Sequence, residues 1–132
     1  MTQVTSHKVT SKGKKVENKA YKKLLVWEKA DRLAHGIYLV TKNFPREEIY
    51  GITSQLRRAA VSVPTNIVEG TGRQNKGELR QFANIALGSL FEVEYLLEFS
   101  CRSHFITKDE FNRLDQLRNE VGALLWGFYK SC

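Results

Sequence analysis

Long apolar runs are missing from this 132-residue chain. The longest strongly apolar stretch is Leu-Leu-Val-Trp at residues 24–27, whereas a membrane-spanning helix needs about 20 apolar residues. The N-terminus lacks an apolar segment followed by a small-residue cleavage site, so a secretory signal is not expected. Cysteine is scarce, because Cys101 and Cys132 are the only two and neither lies in a Cys-x-x-Cys motif. These absences predict a cytoplasmic protein with reduced thiols and no membrane association.

Residue patterns that support catalysis or metal binding are also absent. The three histidines, at positions 7, 35 and 104, form no i,i+4 pair, and the Glu-x-x-His motif of di-iron bundles does not occur. Ser62, Ser89 and Cys101 are candidate nucleophiles, but no base stands at a diagnostic spacing from them. Neither Gly-x-Ser-x-Gly nor Gly-x-x-x-x-Gly-Lys-Ser/Thr is present. We therefore expect no catalytic residue, no metal site and no cofactor, and predict that the protein is not an enzyme.

Positive charge is distributed very unevenly along the chain. The formal net charge is +7, and residues 1–23 alone hold seven lysines against one acid, Glu17. Residues 24–132 are nearly neutral, with 14 basic and 13 acidic residues. Because residues 1–23 have few large apolar side chains, we expect a disordered lysine-rich tail before a folded domain at 24–132. Such a tail suits a polyanion, since each neutralised phosphate releases counterions; the alternatives are a solubility tail or a cloning remnant.

Apolar residues recur at helical spacing through most of residues 24–132, and no window shows strand alternation bounded by turns. The first helix should end at Phe44, and the second should begin at Pro45. Asn75 is a plausible N-cap of the third helix, and Thr107 forms a predicted capping box with Glu110 at the start of the fourth. Short connections between long helices favour antiparallel neighbours. The predicted fold is all-α, an up-down antiparallel four-helix bundle.

The apolar stripes of the four helices define a predicted core. They comprise Trp27, Ala30, Ala34, Ile37, Tyr38, Thr41 and Phe44; Ile49, Ile52, Leu56, Ala59, Ala60, Val63 and Ile67; Leu79, Phe82, Ala83, Ala86, Leu90, Val93, Leu97 and Cys101; and Phe111, Leu114, Leu117, Val121, Leu124, Leu125 and Phe128. Other apolar residues fall outside the stripes: Tyr50, Val61, Ile85, Phe91, Tyr95, Leu96, Trp126 and Tyr129. Exposed apolar patches usually mark association surfaces, so we predict a homo-oligomer.

A proline lies inside the second predicted helix, in the stretch SQLRRAAVSVPTNIVEGTGRQ at residues 54–74. Pro64 lacks an N–H and crowds the carbonyl four residues earlier, so we predict a kink there. Ser62, Thr65 and Asn66 carry short polar side chains that can satisfy the freed backbone groups. This makes the kink a packing device between helices.

The same stretch ends in a glycine-rich turn with basic neighbours. Gly70 is the expected C-cap glycine of the second helix, and an anion site at the turn is the alternative. Glu69 is interpreted as a structural carboxylate. Between residues 54 and 80 the basic residues outnumber the acids Glu69 and Glu78 by five to two. The five are Arg57, Arg58, Arg73, Lys76 and Arg80.

Several motifs resemble the four-helix-bundle proteins encoded in intervening sequences of bacterial 23S rRNA genes. They are Trp-Glu-Lys-Ala at residues 27–30, Ile-Tyr at 37–38, Phe-Pro at 44–45, YGITSQLRRAAVSVPTNIVEGTGR at 50–73 and FANIALGSLFEVEYLL at 82–97. The resemblance covers about residues 24–130 and leaves the lysine-rich tail unexplained. It implies a small bundle that assembles as a pentamer and associates with nucleic acid. The accessory variability determinant (Avd) of diversity-generating retroelements shares this fold and binds a reverse transcriptase.

Taken with the charge distribution, the resemblance implies a non-enzymatic, oligomeric bundle that binds RNA or DNA through basic surfaces. It places Arg57 and Arg58 in the family signature, where they would line a basic surface; a salt bridge within or between subunits is the alternative role. The predicted nucleic-acid contacts are Lys12, Lys14, Lys15, Lys19, Lys22, Lys23, Arg57, Arg58, Arg73, Lys76 and Arg80. The alternative function is that of an Avd-like accessory protein, with a reverse transcriptase and its RNA as partners.

Overall fold

A computed structural model describes residues 7–9, 15–17 and 19–132. Four helices form the body of this part of the chain: α1 (Leu25–Thr41), α2 (Ile52–Thr71), α3 (Lys76–Arg102) and α4 (Lys108–Ser131). Two 3-10 helices, Ala20–Lys23 and Arg46–Glu48, precede α1 and α2. The predicted all-α four-helix bundle is confirmed. None of the described helices is both long and apolar enough to cross a membrane.

Neighbouring helices run antiparallel, as contacts at two heights of the α2–α3 pair illustrate. Gln55 of α2 reaches Glu92 of α3 at 3.3 Å, and Ser62 meets Ser89 at 2.8 Å, so rising numbers along α2 match falling numbers along α3. Among the described elements, α1 and α3 each pack against both α2 and α4. The bundle therefore has two ends. We call the end that holds the starts of α1 and α3 the proximal end, and the other the distal end.

Ion pairs tie α4 to both of its neighbours. Lys29 of α1 donates a hydrogen bond to Glu120 at 2.7 Å, and this bond, reinforced by the lysine charge, holds the pKa of Glu120 below its ordinary value. On the other side, Arg118 pairs with Glu94 of α3 at 3.8 Å and with Asp115 at 2.9 Å. The Arg118 side chain is only 14% exposed, so solvent screens these pairs less than it screens a surface pair. Together the contacts fix the height of α4 against α1 and α3.

The core follows the predicted stripes, with differences at a few positions. Tyr38 and Ile49 were predicted to be buried but are 40% and 53% exposed, whereas Leu96, predicted to lie off the stripe, is 5% exposed. Leu33, which no stripe included, is fully buried. These differences arise because each helix touches two neighbours and buries a wider face than one stripe describes, and because Ile49 precedes α2. The largest fully buried side chains are Leu33, Ile37, Leu56, Val63, Ile67, Leu90, Val93, Leu97, Ser100, Val121 and Leu125.

Two of the predicted helix starts are confirmed and one is wrong. Asn75 caps α3 by accepting hydrogen bonds from the backbone of residues 77 and 78 at 2.7 and 3.2 Å. Thr107 and Glu110 form the expected capping box, with reciprocal bonds of 3.0 and 2.9 Å. The second helix begins at Ile52 rather than at Pro45, because residues 46–48 form a 3-10 helix and Gly51 leaves the helical conformation with ψ of −117°.

Pro64 is buried inside α2, and the helix continues on both sides of it. The side-chain donors expected around the proline are present. Thr65 donates to the carbonyl of Val61 at 2.8 Å, and the Asn66 amide donates to the carbonyl of Ser62 at 2.7 Å and to its hydroxyl at 3.0 Å. Because Pro64 has no N–H, the carbonyl of Ala60 loses its helical partner. The side-chain bonds run to the next two carbonyls, those of Val61 and Ser62. The kink at Pro64 stays a prediction.

The sequence suggested that Gly70 ends the second helix, and this prediction is wrong. It lies inside α2 and is buried, and Gly72 is the C-cap residue. A Cβ atom at position 70 would lie 2.9 Å from Leu79 Cδ1 and 3.0 Å from Phe82 Cβ of α3. The glycine therefore serves the close approach of α2 and α3 rather than the turn.

Replacing Gly70 with alanine should destabilise the protein by about 1–3 kcal/mol, because Phe82 Cβ is fixed to the α3 backbone and cannot swing away. Gly127→Ala is the matched control, since a Cβ at that helical position meets nothing within 4 Å; it should add about 0.5–1 kcal/mol. Chemical denaturation followed by circular dichroism measures both changes. Equal changes in the free energy of unfolding would contradict the assigned role of Gly70.

The lysine-rich segment joins the bundle at the proximal end, where its last residues lead into α1. Its described parts are two antiparallel strands, β1 (His7–Val9) and β2 (Lys15–Glu17), and the 3-10 helix Ala20–Lys23. The sequence had indicated no strand. The Tyr21 ring packs edge-on against Trp27 of α1 at 4.8 Å, and the 3-10 helix contacts α1 and α2. Disorder was predicted for all of residues 1–23, of which 1–6, 10–14 and 18 lie outside the described residues. The domain boundary at residue 23 stays a prediction.

Candidate nucleic-acid interface

Basic side chains collect at the proximal end of the bundle, where antiparallel packing brings together the start of α1, the end of α2, the start of α3 and the end of α4. Residues 17–23, 69–80 and 129–132 contribute seven basic residues and three acids. The basic residues are Lys19, Lys22, Lys23, Arg73, Lys76, Arg80 and Lys130. The distal end is nearly neutral, because residues 42–58 and 98–110 contribute six basic residues and five acids.

Three of the predicted contacts, Arg73, Lys76 and Arg80, are exposed at the proximal end. The Arg73 guanidinium lies over the ring of Phe82 at 5.1 Å, and that of Arg80 lies over the ring of Tyr129 at 4.6 Å. Arginine over an aromatic face keeps its hydrogen-bond donors available at the edge of the guanidinium plane. Within the described part of the chain, no carboxylate forms an ion pair with either arginine, so the rings hold both in place without neutralising their charge.

The lysines predicted to contact nucleic acid precede this surface in the chain. Lys22 and Lys23 are exposed in the last turn of the 3-10 helix. Lys19 pairs with Glu17 at 2.8 Å, and that hydrogen bond and charge raise the pKa of the Lys19 ammonium. Lys15 lies in β2, where its backbone position is opposite Val9. The predicted contacts at positions 12 and 14 lie outside the described residues.

Arg57 and Arg58, the adjacent arginines of the family signature, lie away from the proximal end. Arg57 lies fourteen residues before the end of α2 at Thr71, about 21 Å at 1.5 Å per residue, and Arg73 follows that end. The sequence had suggested one basic surface from Arg57 to Arg80. The structure divides it, because a helix of this length carries its two ends to opposite ends of the bundle.

Arg57 has a structural position at the distal end. Its Nε donates to the Thr41 hydroxyl at 2.8 Å, and its Nη2 donates to the Tyr38 carbonyl at 3.3 Å. Its guanidinium also lies over the Tyr38 ring at 4.7 Å. The last carbonyls of a helix lack i+4 backbone partners, and the Tyr38 carbonyl accepts from Arg57 and from the Thr41 hydroxyl at 3.1 Å, so Arg57 helps to cap the negative end of α1. Arg58 is exposed, and its hydrogen bond runs to Ser54 on its own helix at 3.1 Å.

Arg57→Ala should lower the free energy of unfolding by about 1.5–3 kcal/mol, because it removes charge-assisted hydrogen bonds to α1. The neighbouring substitution Arg58→Ala should change it by less than about 0.5 kcal/mol, since that side chain is exposed. Thermal and urea unfolding of the two variants test the difference. A larger loss at Arg58 than at Arg57 would show that the contacts at the end of α1 do not stabilise the bundle.

The outer face of α3 is apolar over its distal half. Phe91, Tyr95 and Phe99 are 64%, 56% and 38% exposed and repeat every four residues, and the rings of Tyr95 and Phe99 lie 6.3 Å apart. We call these three residues the α3 ridge. Glu94 and Glu98 flank it on the same helix and are exposed.

A groove of about 420 Å³ lies between α1 and α2 at the distal end. We call it the α1–α2 groove; its lining is Tyr38, Ile49, Thr53, Ser54, Arg57, Arg58 and Val61. Tyr38, Ile49 and Val61 are at least 39% exposed there. Among the described side chains, the buried Thr53 hydroxyl lacks a hydrogen-bond partner. Of the apolar residues predicted to lie outside the stripes, Tyr50, Val61, Ile85, Phe91, Tyr95 and Trp126 are exposed, and Tyr129 is half-buried.

The candidate nucleophiles have structural surroundings in the described chain. The hydroxyls of Ser62 and Ser89 bond each other at 2.8 Å, and Asn66 completes this polar contact between α2 and α3. Cys101 is a half-buried free thiol. His35 is an exposed side chain that lies 3.6 Å from Asp31. Within the described residues, no three His, Cys, Asp or Glu side chains are grouped to hold a metal ion.

Comparison with known proteins agrees with the fold. A solved structure of a protein of unknown function from the S23 ribosomal protein family of Bacteroides thetaiotaomicron is similar, with a TM-score of 0.75 and 27% sequence identity. The superposition covers 80% of this chain and 99% of that one. A search among curated proteins gives no significant match. The family model described as 23S rRNA-intervening sequence protein matches residues 22–127. This chain therefore belongs to the 23S rRNA-intervening sequence protein family.

Proposed function

We propose that this protein is a non-enzymatic homo-oligomer that binds nucleic acid through the phosphate backbone, with the proximal end of each bundle as the contact surface. The observation that carries the proposal is the convergence of Arg73, Lys76, Arg80 and Lys130 on the end where the lysine-rich segment enters. Bundle and segment then act on the same polyanion. Contacts of this kind fix position without reading sequence.

Electrostatics favours this end over the rest of the surface. Seven basic residues against three acids create a local positive potential, and repetition of the same end in each subunit of an assembly adds these potentials. Each phosphate neutralised by a lysine or arginine releases condensed counterions, so the driving force grows with the number of contacts. The nearly neutral distal end offers no comparable gain.

RNA is the first ligand to test, because the family takes its description from intervening sequences of 23S rRNA. All but the last two residues of the lysine-rich segment lie before residue 22, where the family match begins. In this proposal the segment adds affinity to a surface that the bundle itself carries. Recruitment of a reverse transcriptase is a separate outcome of the same experiments.

Assembly uses the distal surfaces in this proposal. The α3 ridge of one copy docks in the α1–α2 groove of the next, which covers Phe91, Tyr95 and Phe99. Charge supports this pairing, because Arg57 and Arg58 line the groove, while Glu94 and Glu98 flank the ridge. Within the subunit these two glutamates also pair with Arg118 and Arg102 at 3.8 and 3.6 Å and remain exposed. A partner group that bonds the Thr53 hydroxyl would also remove an unsatisfied buried polar atom. Two different surfaces that meet head to tail produce a closed ring when the rotation closes, in keeping with the pentamer that the resemblance implies.

Fluorescence anisotropy with short labelled RNAs tests the proposal. We expect the purified protein to bind single-stranded and duplex RNA at about 50 mM salt and to lose orders of magnitude in affinity by about 200 mM. Absence of binding at low salt, or binding that salt does not change, would contradict it. A reverse transcriptase that co-purifies with a protein unable to bind RNA would support the Avd-like alternative instead.

A further inference from the structure

Two aromatic rings stack on the surface near the end of α4. The ring centroids of Trp126 and Tyr129 lie 5.6 Å apart with an angle of 18° between the ring planes. Trp126 is 52% exposed. The Arg80 guanidinium lies 4.6 Å from the centre of the Tyr129 ring, and the Lys130 ammonium lies 5.9 Å from the centre of the Trp126 ring. An aromatic pair, exposed at Trp126 and half-buried at Tyr129, is thus flanked by two cations at the proximal end.

A shallow groove of about 300 Å³ adjoins this pair between α3 and α4. It is lined by Gly77, Arg80, Gln81, Asn84 and Tyr129. Gln81 and Asn84 are exposed, and each amide offers both hydrogen-bond donors and an acceptor. The surface beside Trp126 is also open, because a Cβ at Gly127 would meet nothing within 4 Å. The groove therefore combines an aromatic wall, two amides and an arginine.

Tyr129 is half-buried and packs against the core, but core packing does not account for Trp126. Val121 and Leu125 supply the buried face of this part of α4, whereas Trp126 points away from the core with half its surface in solvent. Contact between the proximal ends of two copies is a poor way to cover the Trp126–Tyr129 pair, since it would bring like charges together. A flat, electron-rich ring beside cations suits an unpaired nucleobase, whose face stacks on the ring while its phosphate meets the cations.

We propose that the Trp126–Tyr129 pair and the adjoining groove form a stacking site for an unpaired nucleobase of single-stranded RNA. This inference rests on the proposed function and names the form of nucleic acid that the proximal end prefers. The base stacks on the exposed indole of Trp126. Arg80 and Lys130 contact the flanking phosphates, and the Gln81 and Asn84 amides line the groove beside Tyr129, along the path of the same strand. A duplex keeps its bases stacked on each other and gains only the phosphate contacts.

Tryptophan fluorescence reads this site directly, because the chain has two tryptophans. In a Trp27→Phe background, Trp126 is the single fluorophore, and the phenylalanine preserves an aromatic contact for Tyr21. Single-stranded oligoadenylate should quench the fluorescence, whereas an abasic strand with the same number of phosphates should not. In the otherwise unaltered protein, Trp126→Ala should weaken oligoadenylate binding about 5- to 100-fold and leave the abasic strand unaffected.

Tyr50→Ala is the matched control, since Tyr50 is 95% exposed at the distal end and should not contribute. Trp126→Phe should retain part of the affinity. Equal binding of base-bearing and abasic strands, or an equal loss on both in Trp126→Ala, would overturn the stacking site and leave the proposed function intact. A change of subunit number in Trp126→Ala would assign the indole to an interface and also overturn it. Failure of every strand to bind at low salt would overturn the proposed function itself.

Discussion

Deletion of residues 1–23 should weaken RNA binding about 100- to 1,000-fold near physiological salt and flatten the dependence of affinity on salt. The segment holds seven of the chain's 21 lysine and arginine residues. If most of these lysines neutralise phosphates, the slope of log affinity against log salt should fall by about 4 to 5 for single-stranded RNA. Anisotropy titrations of full-length and truncated protein over a range of salt concentrations measure that slope.

The control for this deletion must preserve the folded bundle. Removal of residues 1–23 also removes Tyr21, which packs on Trp27. A variant with all seven lysines of the segment replaced by glutamine keeps the Tyr21 contact and should show the same loss of affinity and slope. A lysine-to-arginine variant should bind as the parent does. An unchanged slope in the glutamine variant would show that the segment does not contact phosphates, and would leave Arg73, Lys76, Arg80 and Lys130 as the proposed contacts.

The double substitution Phe91→Glu with Tyr95→Glu should convert the proposed assembly into a 15.2 kDa monomer. In the proposed interface both rings pack on the apolar side chains of the groove of the next copy, Tyr38, Ile49 and Val61. Two carboxylates there would be removed from water against an apolar surface and would lie beside Glu94 and Glu98. The desolvation and like-charge cost far exceeds the stability of a typical interface contact. Both side chains are exposed within one subunit, so the bundle itself should remain folded. Light scattering measures the mass, and circular dichroism checks the helices.

Gln81→Glu with Asn84→Glu is the matched control for this substitution. It adds the same charge to the outer face of α3 about three turns nearer the proximal end, outside the α3 ridge. We expect it to keep the parental mass. Dissociation of both variants would point to a general effect of negative charge, and a monomeric parent protein would rule out the assembly.

Helix identity was accessible from the sequence because it depends on local interactions. The capping box at Thr107 and the N-cap at Asn75 each involve side chains within three residues of one another, so their spacing alone identifies them. The predictions were wrong where the local sequence pattern and a second structural constraint favour different positions for a residue. Ile49 has the right spacing for the core, but Gly51 interrupts the helix after it. Gly70 has the right residue type for a C-cap, but the approach of α3 determines its place inside α2.

In the candidate site, too, the sequence indicated local properties but not contacts between distant residues. Residue types alone indicated which side chains are basic, but periodicity could not show that Arg57 turns toward the last carbonyls of α1. The contribution of Lys130 was missed, because one lysine near the end of a helix has no distinctive sequence signal. Trp126 and Tyr129 stood out only as apolar residues off the stripe. Their proximity to Arg80 joins positions about fifty residues apart in the chain.

The sequence by itself determined the four helices, most of the buried face of each, the concentration of charge before residue 24 and the family. These properties follow from residue type and short-range spacing, which the linear chain carries in full. Only the tertiary structure decided that Arg73, Lys76, Arg80 and Lys130 share one end while Arg57 and Arg58 occupy the other. It also decided that Tyr129, stacked on Trp126, meets Arg80. Antiparallel packing brings alternate helix ends together, and this relation between distant segments is a property of the folded bundle alone.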